Sequence, residues 1–224
     1  MSNLAYTSWA GRIRELAACV RQLEPLADAM HLSLPRERGW YGELFQKLVP
    51  QIDEQPVLVV AVVGGTNTGK STLFNYLVGS MVSKTDRNAT YTKHPVCVVP
   101  QGLFSTQQLQ KIFADFHLKP WQSEDDAVTD GAENVLIVRE DPSGQQSKHL
   151  ILLDTPDMDG IVRDNWRRAE QIRNAADVLV CLFTPEKHAD HAVLTFLKPV
   201  AQSDKTFVAV FNKIESPEDC AYFS

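Results

Sequence analysis

A run of small and β-branched apolar residues, Val57-Leu58-Val59-Val60-Ala61-Val62-Val63, leads directly into Gly64-Gly65-Thr66-Asn67-Thr68-Gly69-Lys70-Ser71. The octapeptide satisfies G-x-x-x-x-G-K-[ST] at every fixed position, and residues 70–78 behind it read as a helix. Average residue frequencies would produce such a match by accident in on the order of one per cent of chains this long, and rarely between a strand and a helix. Strand, glycine-rich turn and helix together let backbone amides curl inward around a phosphate, where side chains would obstruct the approach. The positive end of the helix then faces the anion. In this pattern Lys70 reaches the β- and γ-phosphates of a nucleotide and the Ser71 hydroxyl ligates Mg²⁺. Gly64, Gly65, Thr66, Asn67, Thr68, Gly69 and Thr72 complete the cradle.

Around this loop short apolar runs alternate with helical stretches. Strands are predicted at 57–63, 96–99, 135–139, 150–154, 178–183 and 206–211, and helices at 70–78, 106–116, 163–175 and 189–201. Most of the strands are apolar on both faces, as in a sheet covered by helices. The predicted class is α/β, a three-layer nucleotide-binding fold with a mostly parallel sheet. The acidic stretch 123–131 reads as a surface loop.

Two helical stretches precede the sheet. Ile13, Leu16, Val20, Leu23, Ala27 and Met30 recur at three- and four-residue steps, with Pro25 inside the stripe. Trp40, Tyr41, Leu44, Phe45 and Leu48 form the buried face expected of a second helix after Pro35. These helices either cover the neighbouring domain or belong to an interaction bundle. The expected division is a helical segment over 1–52 and a nucleotide-binding domain over 53–224.

With 44% hydrophobic and 22% charged residues, the 224-residue chain has material for a core, which excludes disordered and collagen-like classes. Its net charge of −6 provides no global basic field, so nucleic acid is not expected to be held through this chain. Cys19, Cys97, Cys181 and Cys220 form no C-x-x-C pair, which argues against a zinc site or disulfide scaffold and for a cytoplasmic setting. The longest apolar run, 57–63, is far shorter than the roughly 20 residues of a membrane span.

The second magnesium-side acid of such a site belongs at the end of a neighbouring strand, and Leu150-Ile151-Leu152-Leu153-Asp154 supplies it. Asp154-Thr155-Pro156 resembles the D-T-P-G switch II signature of GTPases, although position 157 is Asp. In that pattern the glycine gives its amide to the γ-phosphate, and a carboxylate there is expected to turn outward. Phe211-Asn212-Lys213-Ile214-Glu215 resembles the N-K-x-D guanine signature with Glu as the acid. A carboxylate accepts from guanine N1–H and the 2-amino group, whereas adenine presents an acceptor at N1. Guanine preference follows, with looser geometry because Glu is one methylene longer than Asp.

Residues 80–94 occupy the place of switch I, with Thr85, Thr90 and Thr92 as candidate Mg²⁺ ligands. Thr92-Lys93-His94-Pro95 looks like the dynamin-type switch I, which points to Thr92 and then Thr90. Together, residues 57–215 are similar to dynamin-like and Era-like GTPases of the translation-factor-related class. The resemblance implies a Ras-like P-loop fold, GTP/GDP and Mg²⁺ as ligands, and GTP hydrolysis in which Lys70, Thr92 and Asp154 take part. Helices ahead of the domain are a dynamin-like trait. They imply pairing with a helical region outside this chain, homodimerisation across the nucleotide face, and membrane association through regions beyond it, as a peripheral protein. Asn67 matches the G-x-x-N-x-G-K-S loops of the K⁺-stimulated Era branch, leaving K⁺ binding and loop capping both open. That branch implies a ribosome- or RNA-associated partner instead, and a scaffold with little turnover is the third reading.

Met158 follows the switch II turn where Ras-like enzymes carry a water-orienting Gln, so slow intrinsic hydrolysis is expected. Thr184-Pro185-Glu186-Lys187-His188-Ala189-Asp190-His191 reads as a solvated loop rather than a metal site, and Trp9, Trp40, Trp121 and Trp166 as packing residues. The resemblance implies one more βα unit after the guanine motif, so the chain is expected to be a fragment lacking that unit.

Overall fold

The computed structural model describes residues 3–32, 39–49, 52, 57–85, 92–129, 134–157, 171–185, 198 and 205–216. The chain divides into two compact units, Met1–Val57 and Leu58–Ser224.

In the first unit, α1 spans Asn3–Ala29 with Pro25 inside it. Its buried stripe runs through Ala10, Ala17 and Val20, with Ile13 half-buried beside them. Leu16, Leu23 and Met30, expected on that face, are exposed at 50%, 59% and 69%. Ile13 and Val20 keep the expected face, while small Ala17, rather than Leu16, sits at the contact with the second helical segment. That segment is α2, Gly39–Gly42, continuing as wider π-helical turns over Glu43–Leu48. Leu44 is buried against Ala17 and Val20, flanked by Tyr41, Phe45 and Leu48, whereas Trp40 is exposed. Polar contacts rim this core: the Tyr41 hydroxyl donates to Glu24 and the Arg21 guanidinium lies 5.0 Å from the Phe45 ring centroid.

The second unit is a seven-stranded sheet of order β3-β4-β2-β5-β1-β6-β7. The strands are β1 Leu58–Gly64, β2 Val96–Val99, β3 His117–Pro120, β4 Val135–Glu140, β5 Leu150–Asp154, β6 Val178–Phe183 and β7 Thr206–Phe211. Among the described residues, only the β2–β5 pair is antiparallel. α3, Lys70–Val78, follows β1, and α4, Thr106–Ile112, follows β2 behind a Ser105–Gln108 capping box. This is the Ras-like P-loop arrangement, with β3 and β4 added beyond β2 by the segment between β2 and β5. Phe74 of α3 is fully buried on the sheet among Val62, Val96, Ile137, Leu152 and Leu182.

The sequence reading missed β3, whose His117-Leu118-Lys119-Pro120 is polar, mostly exposed and ends in proline, as suits an edge strand. α4 stops at Ile112, four residues before its expected end. The expected loop 123–131 contains a 3₁₀ turn, Glu124–Ala127, in which Asp126 and Ala127 are buried. The predicted helix 163–175 is described only at 171–175, where it is helical, and 189–201 lies outside the described residues apart from residue 198.

Register places the site. Val62 pairs with Asp154, Gly64 with Leu182, and Phe183 with Phe211, so β5, β1, β6 and β7 end together along one edge. Ligands of open α/β sheets bind outside such carboxyl ends.

Candidate functional site

Gly64 ends β1 where a Cβ would lie 2.8 Å from the Leu182 carbonyl oxygen and 2.9 Å from Thr68 Oγ1, so the turn closes only without a side chain. Asn67 adopts φ 60°, a left-handed conformation asparagine tolerates, and is exposed at the loop tip beside half-buried Thr66. Thr68 is buried and its hydroxyl donates to the Gly65 carbonyl at 2.9 Å. Gly69, at φ 97°, caps the N-terminus of α3, and Lys70 and Ser71 begin the helix. Thr72 points to solvent.

The Lys70 side chain is 4% exposed. Its Nζ donates to the Gly65 carbonyl at 2.7 Å and to Asp157 Oδ1 at 2.5 Å. Asp157 therefore turns inward rather than outward, because a nearly buried ammonium draws in a counter-anion.

Asp154, the last residue of β5, is fully buried. Its Oδ2 accepts from Ser71 Oγ at 2.8 Å and from Ser83 Oγ at 2.6 Å, while Oδ1 has no partner among the described residues. Burial pushes its carboxyl above the usual aspartate range, opposed by the Ser83 and Ser71 hydroxyls and by Lys70, with the Asp157 charge adding to the rise. A buried carboxylate oxygen without a partner beside a serine hydroxyl is a fitting donor set for Mg²⁺, which takes few protein ligands and completes its shell with phosphate and water. No group of three or more His, Cys, Asp or Glu side chains suited to a metal occurs among the described residues. Next in the chain, Thr155 Oγ1 donates to the Val62 carbonyl at 2.8 Å and holds the end of β5 to β1.

The start of switch I is held by α3 and by the added strands. Asn75 Oδ1 accepts from the amides of Val82 and Ser83, and Asn75 Nδ2 donates to the Ser83 carbonyl at 2.7 Å. Trp121 Nε1 donates to the Val82 carbonyl at 2.9 Å, and Arg139 donates to the Met81 carbonyl while lying 3.8 Å from the Trp121 ring centroid. Trp121 is thus a packing residue with its polar end satisfied. At the other end of the segment, the amides of Lys93 and His94 donate to the Ala127 carbonyl at 2.7 and 3.0 Å. Half-buried Thr92 precedes them, and no hydrogen bond to Asp154 comes from it. Thr85 is exposed, and Thr90 lies outside the described residues, as do Met158 and residues 186–191.

On the opposite side, Asn212 follows β7. Its amide donates to the Phe183 carbonyl, and its Nδ2 donates to the Thr68 carbonyl at 2.8 Å. Lys213 adopts φ 59°, and Glu215 is exposed. The structure therefore brings Lys70, Ser71, Asp154 and Asn212 to one edge. Sequence reasoning missed Ser83 and the inward turn of Asp157. Nothing in the residue pattern separates Ser83 from Ser80, because its role arises from a partner 71 residues away.

A family model described as 50S ribosome-binding GTPase matches residues 59–213. Over 56 residues the chain is 39% identical to GTPase Era of Actinobacillus pleuropneumoniae serotype 5b and 43% identical to GTPase Era of Bordetella petrii. Each match covers 25% of this chain but only 17% and 18% of those relatives' length. Among solved structures, Aquifex aeolicus Era bound to GDP·AlF4⁻ is similar with TM-score 0.41 and 21% identity, over 74% of this chain and 44% of that one. A chain of an oligomerised bacterial dynamin pair gives TM-score 0.49 and 17% identity, over 96% and 33%. The family match takes in well over half of the chain and includes the phosphate loop, Asp154, Asn212 and Lys213. This chain belongs to the 50S ribosome-binding GTPase family of P-loop proteins.

Proposed function

We propose that this chain binds GTP and hydrolyses it to GDP and phosphate, as the nucleotide domain (53–224) of a dynamin-like GTPase that works through assembly. The observation that carries this reading is the convergence of Lys70, the Ser71–Asp154 pair and Asn212 at one sheet edge, where phosphate, metal and base would lie in that order. Lys70 and the loop amides stabilise charge developing on the phosphates as water attacks in line. Ser71, Asp154 and Thr92 would hold Mg²⁺, which would supply positive charge to the phosphates when bound. Asn212, Lys213 and Glu215 select guanine. With Met158 in place of a water-orienting Gln, intrinsic turnover is slow and rises on homodimerisation across the nucleotide face. In this reading the helical segment 1–52 pairs with helices outside this chain, and a cytoplasmic protein reaches a membrane peripherally through those regions.

The exposed, left-handed Asn67 favours a second reading, an Era-like GTPase in which K⁺ at Asn67 supplies the missing charge. Asp157 on Lys70 favours a scaffold with little turnover. GTP and ATP turnover, measured in K⁺ and in Na⁺ across a range of protein concentrations, separates them. Turnover of GTP that rises with concentration supports the first reading. K⁺ dependence without concentration dependence supports the second, and binding without turnover in either salt the third.

A further inference from the structure

The position that is glycine in the switch II pattern carries an aspartate whose carboxylate sits on the phosphate-loop lysine. We propose that Asp157 is a specificity-determining residue that competes with the γ-phosphate for Lys70, so that the chain discriminates against triphosphate until the nucleotide displaces the carboxylate. The inference rests on the guanine-nucleotide reading and deepens it.

Geometry carries the argument. Lys70 is almost wholly buried, and two of its three N–H bonds are engaged, one by the Gly65 carbonyl and one by Asp157 Oδ1. Asp157 is itself only 13% exposed. It stands three residues beyond Asp154, so it reaches Lys70 from the switch II side rather than from the loop or the helix. The α- and β-phosphates rest on the loop amides and the N-terminus of α3. A γ-phosphate drawn to the Lys70 ammonium would meet the Asp157 carboxylate already on it. In a site with little solvent, carboxylate and γ-phosphate oxygens on adjacent hydrogens of one ammonium repel each other. Without a phosphate, Asp157 neutralises Lys70. With a triphosphate, it must leave. A diphosphate makes a weaker demand on the same nitrogen.

Titration of the chain with fluorescent GDP and with a fluorescent non-hydrolysable GTP analogue, both in Mg²⁺, tests this in the native chain, Asp157→Asn and Asp157→Gly. Asparagine keeps the size and removes the charge, and glycine restores the family pattern. Thermal unfolding without nucleotide reports that each variant is folded. Both variants are expected to bind the triphosphate analogue tighter by on the order of tenfold and GDP by less than about threefold. They should also melt at lower temperature without nucleotide, because Lys70 loses its counter-anion. Equal changes for both nucleotides, or an unchanged ratio, overturn the inference while leaving the guanine-nucleotide reading standing. A native chain that binds neither nucleotide overturns both.

Discussion

Asn212 Nδ2 donates to the Thr68 carbonyl at 2.8 Å, joining residues 144 positions apart and pinning the segment after β7 to the glycine-rich loop after β1. The same nitrogen would lie 2.5 Å from a Cβ on Gly69. Gly69 therefore answers to a tertiary contact as well as to its own φ of 97°.

Gly69→Ala is expected to destabilise the chain by about 1–3 kcal/mol, from left-handed strain together with displacement of Asn212. Urea unfolding measures the loss. Guanine nucleotide affinity should fall further than in Asn212→Ala, which removes the bond without straining the loop.

Lys70→Ala removes the cation shared by the Gly65 carbonyl and Asp157, the group proposed to reach the phosphates. Turnover of GTP is expected to drop by on the order of 10²–10³-fold. Single-turnover kinetics at saturating protein would detect retention of both binding and hydrolysis, which would refute the phosphate-site assignment.

Ser71→Ala and Ser83→Ala each take one hydroxyl donor from the buried Asp154 carboxylate. Each is expected to cost about 1.5–3 kcal/mol in the nucleotide-free chain, the usual range for hydrogen bonds to a charged group. Only Ser71→Ala should also blunt the Mg²⁺ dependence of nucleotide binding, because Ser71 alone lies on the phosphate loop. Melting curves and Mg²⁺ titrations together separate the two roles.

Asp126 anchors the 3₁₀ turn whose Ala127 carbonyl holds the end of switch I. Burial pushes its carboxyl up, but the Gln122 and Ser123 amides and Lys119 outweigh burial and hold it below the usual aspartate range. A folded value below the unfolded one stabilises the chain fully above about pH 4, and the contribution is lost as pH falls through the folded value. Asp126→Ala should cost about 1–3 kcal/mol near neutrality by leaving those amides unpaired. The gap between variant and native melting temperatures should close on acidification, and a constant gap down to about pH 3 would contradict this assignment.

The phosphate loop, α3, the six apolar strands and Asp154 were legible because each depends on local pattern: a glycine-rich turn between a β-branched run and a helix, or a carboxylate at a strand end. β3 was not, since an exposed edge strand needs no apolar face and its pairing with β4 substitutes for one. The stripe of α1 was legible in part: Ile13 and Val20 pack as expected, but Leu16, Leu23 and Met30 are exposed and Ala17 is buried instead. Periodicity does not weigh which residue is small enough to sit at the contact.

Residue types and spacing alone thus determined that this chain carries a G-x-x-x-x-G-K-S loop between a strand and a helix, an aspartate at a neighbouring strand end and an Asn-Lys pair after the last strand of an α/β sheet. Tertiary structure decided what those groups do to one another. It turned Asp157 inward, because the buried Lys70 ammonium requires a counter-anion and Asp157 stands within reach. It brought Ser83 onto Asp154 and Trp121 and Arg139 onto the start of switch I. Such contacts join residues tens of positions apart through sheet register, which a linear pattern does not encode.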